Sequence, residues 1–312
     1  MKVIGAYLGV VLIWSTTPLA VQWSNSSLSF QAAATARMAI AAILCALILL
    51  VSRRAIVKDK RDVLSFIAGS IGIFPNMLLV YWSAQFIPSS LIAILFGTYP
   101  FFTGLCSIVV LKQNPFNVSR VVALFIALIG LVVIHADQLQ LGSDAVYGVL
   151  GILTSSLLFS FSTVLVKKVG GSVDAFRQLS GSLFIAAPGF LLTWYLTDGF
   201  IPASIDLKSA LGVAYLVLAG SMFGGVAFYY VLTNCQVVTV SLIPLLTPVV
   251  AIALGVLIEG EQIRLAMLIG AVCILFSLAL YQQLFQRLYR IVHRRWKKDL
   301  NYALMKVKPL FV

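Results

Sequence analysis

The sequence predicts an all-α integral membrane protein of ten transmembrane helices, arranged as two inverted five-helix repeats. Composition comes first: of 312 residues, 61% are hydrophobic and only 10% charged, against about 25% charged in a soluble domain. A water-exposed fold would have too little polar material to cover itself. Next, the apolar residues fall in long blocks without strand-like alternation, and lipid requires every spanning backbone group to be bonded internally, which here selects helices over a closed barrel. Finally, the second half of the chain resembles the first.

The blocks approach the ~20 residues that a ~30 Å hydrocarbon core demands. They lie at residues 3–22, 30–51, 64–86, 90–111, 118–136, 146–166, 175–196, 209–232, 238–258 and 263–285. Two breaks are weak, QFIPSS after the third and TNCQVV after the eighth. Charge placement decides the count. With a cytoplasmic N-terminus, all 22 Lys and Arg except Arg37, Lys208 and Arg264 fall on the inner side, as the positive-inside rule expects. Merging either weakly separated pair would flip every later loop and put the basic tail outside.

Lys2 and the apolar stretch after it, with AAATA at 32–36, also have the outline of a signal peptide. The first block has a counterpart deeper in the chain, so it reads as a span. Cys45, Cys106, Cys235 and Cys273 lie in or beside apolar blocks at no metal-like spacing, and read as small buried hydrophobes. No metal or cofactor is expected. The tail, RLYRIVHRRWKKDLNYALMKVK, alternates basic and apolar residues, which suits anionic lipid headgroups rather than nucleic acid.

The repeat is visible in VYW at 80–82 with Pro100 nineteen residues after Tyr81, and FYY at 228–230 with Pro248 nineteen after Tyr229. Both pairs are 148 apart. IWSTTP at 13–18 matches LFSFST at 158–163, aligning Trp14 with Phe159 and Ser15 with Ser160. Residues 1–140 form the first repeat, 141–285 the second, and 286–312 a basic cytoplasmic tail. Five helices is an odd number, so the second copy starts on the opposite side of the membrane. Inverted repeats of this kind are a transporter architecture, with the substrate near the midplane.

The tryptophan-serine pair in the first span, Arg37 early in the second, the prolines of the fourth and ninth, and Gly260-Glu261 after the ninth resemble the EamA type of the drug/metabolite transporter superfamily. In the first half Lys112-Gln113 replaces a Gly-Glu-like pair. The resemblance covers residues 1 to about 285. It implies a transporter of the bacterial inner membrane, both termini cytoplasmic, exporting amino acids or related amphipathic or aromatic metabolites by alternating access. The alternatives are a membrane scaffold or assembly protein, and a nonselective pore, for which no continuous polar stripe is visible.

The resemblance also implies that spans one, three, four, six, eight and nine line a cavity. The candidates are Trp14, Ser15, Asn76, Tyr81, Trp82, Tyr99, Pro100, Ser160, Tyr229, Tyr230, Thr247 and Pro248, together with Arg37. Neighbours such as Tyr81 and Trp82 cannot point the same way on a helix. A proline frees a carbonyl one turn back, tolerated in lipid against protein or a wet cavity, so Pro100 and Pro248 are expected to bend their helices toward the cavity. Arg37 is the one charge well inside a span, and either faces a substrate carboxylate or snorkels to the headgroups. Asn76 either meets substrate or bridges helices.

The chain has no HExxH, GxSxG or phosphate-binding glycine motif, and no acidic residue in the middle third of any span, so an enzyme is not expected. Glu259 and Glu261, at the end of the ninth span, are the carboxylates available for ion coupling, or else a solvated loop end. The small-residue motifs GAYLG (5–9) and GSMFG (220–224) permit close helix approach and are expected to pack within a monomer or weak dimer.

Overall fold

The structure, a computed structural model, describes residues 2–87, 89–135, 144–171, 173–200, 202, 204–254 and 265–281. The carboxylates Glu259 and Glu261, the junction at 140/141 and the basic tail lie outside these residues. Among those described there is no strand. The helices are α1 (Lys2–Ser24), α2 (Phe30–Ser52), α3 (Lys60–Ile71), α4 (Asn76–Ser83), α5 (Ser89–Phe96), α6 (Tyr99–Cys106), α7 (Val118–His135), α8 (Ala145–Val169), α9 (Ala175–Thr197), α10 (Leu207–Tyr215), α11 (Gly224–Asn234), α12 (Val237–Val240), α13 (Ile243–Leu254) and α14 (Leu265–Tyr281). Wider π-helical turns follow α6 (Ser107–Leu111) and join α10 to α11 (Leu216–Phe223).

Eight helical segments among the described residues are long and apolar enough to cross a membrane, and two shorter apolar helices, Val118–Ile134 and Leu265–Tyr281, occupy the fifth and tenth apolar runs. The protein is a multi-pass membrane protein. Its outward faces carry apolar stripes at helical spacing: Ile4, Leu8 and Leu12 on α1, Val118, Val122, Phe125 and Ile129 on α7, Leu268, Val272 and Leu275 on α14. A soluble monomer does not expose apolar surface on this scale. Polar side chains are turned into the apolar interior, with Arg37, Ser155, Ser160, Arg177, Gln178, Ser180 and Ser182 all buried.

Capping residues mark the ends. Ser29 accepts from the Ala32 N–H, Asp59 from Arg61 and Asp62, Asp174 from Arg177, and Asp206 from Ser209, each satisfying a first-turn donor that the helix itself leaves unused.

Three spans are broken in the middle. The third stops at Ile71 and resumes at Asn76 after Pro75, because the residue before a proline is steered away from helix. The fourth breaks after Phe96, and Pro100 enters in the first turn of α6, where its missing N–H costs nothing. The ninth breaks after Val240, and Pro244 takes that same place as the second residue of α13. At the break in the ninth span it is thus Pro244, not Pro248, that holds the first-turn place Pro100 holds in the fourth. Pro248 lies inside α13 and cannot donate to the Pro244 carbonyl one turn back. The Thr247 hydroxyl donates to it instead, at 3.0 Å.

Packing is reciprocal between the two halves. α1 rests on α10, α11 and α13, as α8 rests on α3, α4 and α6, while α2 meets α9 and α7 meets α14. The two small-residue motifs part company. A Cβ on Gly220 would lie 3.1 Å from Arg37 Nη2 and one on Gly224 3.0 Å from the Ala219 carbonyl, so that motif packs inside. At Gly5 and Gly9 a Cβ would meet nothing within 4 Å. The two glycines of GAYLG thus allow no close approach within the monomer, while Ala6 and Tyr7 between them pack on the core.

Candidate functional site

The broken spans surround a cavity of about 540 Å³, within the range of ~300–1,000 Å³ usual for small-molecule sites. On α1 its wall is built by Trp14, Thr17, Pro18 and Val21, with Asn25 just beyond, and on α4 by Asn76, Met77, Val80 and Tyr81, followed by Ala84 and Ile87. These series step by three or four residues, one helical face each. Arg37 and Met38 enter from α2, Tyr99 from α6, Phe159 from α8, Phe228 and Tyr229 from α11, and Pro244 and Thr247 from α13. The cavity therefore runs from mid-span to the end of the bundle where α1 and α4 terminate.

Toward the opposite end, where α1 begins, an aromatic pile crosses the bundle. Tyr99 stacks on Phe159 (ring centroids 5.1 Å apart), Phe159 on Phe228 (5.4 Å) and Phe228 on Trp14 (5.4 Å). The four rings come from four helices and both halves of the chain. Beyond them lie polar contacts, those of Tyr7, Arg177 and Gln178 between the two halves and that of Lys167 within the second. Tyr7 donates to the Thr239 carbonyl at 3.1 Å. Lys167 Nζ donates to the carbonyls of Leu232, Thr233 and Cys235 at 2.8, 3.0 and 2.8 Å. Arg177 pairs with Asp62 and donates to the Ile56 carbonyl, and the Gln178 side chain donates to the Ser65 carbonyl at 2.8 Å.

Seven of the thirteen sequence candidates line the cavity: Trp14, Arg37, Asn76, Tyr81, Tyr99, Tyr229 and Thr247. The other six lie off it. Ser15 turns back to the Val11 carbonyl (2.6 Å). The Trp82 ring lies against Phe86 and over Gly151 of α8, so the Tyr81-Trp82 pair divides as helical geometry requires. Ser160 donates to the Tyr99 carbonyl at 3.3 Å, and Pro100 and Pro248 are buried in their helices. Tyr230 follows the lining residue Tyr229 and misses the wall by one step around α11.

Asn76 is 1% exposed, donates to the Gly72 carbonyl at 2.8 Å and accepts from Ser155; its amide bridges the break in the third span to α8. Arg37 turns inward: Nε donates to Ser221 Oγ at 2.9 Å and the residue is 6% exposed, so it does not snorkel.

Thr17, Pro18, Phe159, Phe228, Ser221 and Pro244 were not among the sequence candidates. Thr17 and Pro18 follow Trp14 by one helical turn, a spacing that the sequence contains. Phe159 was aligned with Trp14, and that alignment foreshadowed its position in the pile. Among the described residues no cluster of His, Cys, Asp or Glu could hold a metal.

A family model described as the EamA-like transporter family matches residues 1–136 and again residues 146–282. The chain belongs to the EamA-like transporter family. It is a membrane transporter of that family, and several of its relatives carry transporter names. It is 25% identical over 277 residues to the uncharacterized transporter YoaV of Bacillus subtilis, covering 88% of this chain and 94% of the relative. An uncharacterized transporter of Archaeoglobus fulgidus is 24% identical, with 86% and 94% covered. The inner membrane transporter YedA of Escherichia coli K12 is 24% identical, with 84% and 85% covered. A crystal structure superposes with a TM-score of 0.72 over 91% of this chain and 97% of that one, at 17% identity, a likeness of fold.

Proposed function

We propose that the protein carries a small amphipathic or aromatic metabolite across a bacterial inner membrane by alternating access, as ten spans in two inverted five-helix repeats with both termini cytoplasmic. The observation that carries this reading is the cavity itself: it is walled by broken spans from both halves, reaches one end of the bundle, and is blocked at the other by the Tyr99–Phe159–Phe228–Trp14 pile. The reciprocal packing and the twofold match of one family model to the two halves support the repeat. An odd number of spans per copy makes the copies antiparallel, and midplane sites between such copies are how many carriers work.

With Lys2 cytoplasmic, the cavity faces outward and the pile with its polar ties is the closed inner gate. The opposite state needs the halves to rock so that Tyr7 and Arg177 release the Thr239 carbonyl and α3 while α1 closes on α4. A pore needs an unbroken polar path, and four stacked rings interrupt it. Among the described residues no acidic side chain lines the cavity; we favour movement down a gradient, or exchange, over proton coupling, and outward export as the direction.

The test is counterflow into proteoliposomes of the purified chain with labelled aromatic and aliphatic amino acids and their deaminated acids. Saturable flux that unlabelled compound competes with is the expected result. Flux proportional to concentration would mean a pore, and no flux with any probe a scaffold. Uphill movement driven by a pH jump would overturn the uncoupled mechanism.

A further inference from the structure

We infer that the cavity selects monoanions: a carboxylate seated on Arg37 and the Tyr81 hydroxyl, with the apolar remainder of the molecule against the aromatic pile. The inference rests on the transport reading above and narrows its substrate class.

Arginine does not lose its proton in a protein, so Arg37 stays cationic inside the span. An isolated buried charge is costly unless it is paired. The fold shows how it treats such a group elsewhere. Arg177, 3% exposed, has the Asp62 carboxylate and two bonds to the Ile56 carbonyl. Arg37 has one bond, to the neutral Ser221 hydroxyl. Among the described residues neither of its terminal nitrogens forms a hydrogen bond or ion pair, although the guanidinium borders the cavity. Room for it is kept by Gly220, where a Cβ would come within 3.1 Å of Nη2.

The second observation is independent. Tyr81 is 1% exposed and lines the same cavity, and among the described residues its buried hydroxyl has no hydrogen-bond partner. A buried polar group left unpaired costs free energy, and a ligand acceptor reaching both of these cavity-lining residues would satisfy their free donors. A planar guanidinium fork matches a carboxylate bidentately. Among the described lining residues Arg37 is the single cation and none is acidic, so these residues offer a net charge of +1. That complements a monoanion better than a dianion, and gives a substrate ammonium no carboxylate to meet.

Isothermal titration of the purified full chain in detergent tests this with three isosteres: 3-phenylpropionate, 3-phenylpropanamide and 3-phenylpropylammonium. Expected is binding of the acid about tenfold or more tighter than the amide, with the ammonium weakest. Arg37→Gln is expected to bring acid and amide to within about twofold, Arg37→Lys to keep part of the preference because the charge remains but the fork is lost, and Tyr81→Phe to weaken the acid several-fold. The wild-type series alone decides, so a variant that fails to fold does not rescue the inference. Equal binding of acid and amide, or preference for the ammonium, overturns the anion site while leaving transport intact. If none of the three binds and no labelled compound shows saturable counterflow, the transport reading fails and takes the inference with it.

Discussion

Gly130 of α7 and Gly270 of α14 meet backbone to backbone: a Cβ on Gly130 would lie 2.8 Å from the Gly270 carbonyl oxygen, and one on Gly270 2.5 Å from that of Gly130. Small residues let membrane helices approach this closely, and van der Waals packing then holds them. Substituting either by leucine is expected to lower the melting temperature of the detergent-solubilised protein, at a cost of about 1–3 kcal/mol as for other overpacked sites. Gly5→Ala and Gly9→Ala, with open space at both positions, are the controls and should melt with the wild type. Equal loss in all four variants would mean that the α7–α14 contact is not specially tight.

Thr247 and Pro248 make a second pair whose roles can be separated. The threonine hydroxyl occupies the Pro244 carbonyl that proline leaves without a backbone donor. Thr247→Val should therefore destabilise by about 1 kcal/mol or somewhat less. In a Pro248→Ala background, where the backbone N–H returns, the same change should cost almost nothing. A double-mutant cycle on thermal melts measures the coupling, and additive effects would refute the substitution of one donor for the other.

Asp206, at the start of α10, ties the α1–α2 turn to the second half: Ser26 donates to both carboxylate oxygens at 2.8 and 2.7 Å, and the Ser209 N–H donates at 2.5 Å. The Ser26 hydroxyl first, and the Ser209 N–H second, hold its carboxyl below the ordinary carboxylate range. A depressed native value contributes stability that is complete above the unfolded pKa of about 3.9 and is lost as pH falls through the native one. The gap in melting temperature between wild type and Asp206→Ala should thus be full at pH 6 and shrink below about pH 4. A gap independent of pH would remove the carboxylate from the account.

The apolar blocks made the helices legible because composition alone forces a spanning helix to satisfy its own backbone. Side-chain direction within a helix was harder to read. Trp14 and Tyr81 reach the cavity, but their neighbours Ser15 and Trp82 turn onto packing faces, and Thr17 and Pro18 share the Trp14 face one turn on, a relation of helical spacing that adjacent letters do not display. Pro248 drew attention by its spacing from Tyr229. The break in the ninth span depends on a shorter-range effect, the first-turn tolerance of Pro244, which a repeat offset of 148 conceals. The aromatic pile could not be read at all: its rings come from residues 14, 99, 159 and 228, and only the packing of four helices brings them together.

Lys167 supplies the sharpest test of the gate. Its ammonium reaches three carbonyls at and just past the end of α11, where unpaired C=O groups and the negative end of the helix dipole favour a cation. This fastens α8 to the α11–α12 corner at the end opposite the open cavity. Lys167→Met keeps the apolar stem and removes the donors, so the corner loses its tie without a cavity being created in the packing. Cys235 sits in that corner and is partly exposed, whereas Cys45 and Cys106 are buried. In a Cys273→Ser background, maleimide labelling of Cys235 from the cytoplasmic side should therefore rise several-fold in Lys167→Met, with an unchanged far-ultraviolet helix signal. Adding the transported compound to wild type should raise the same labelling if this corner opens together with the inner gate. Labelling that is insensitive to both would leave the corner shut throughout and place the moving parts elsewhere.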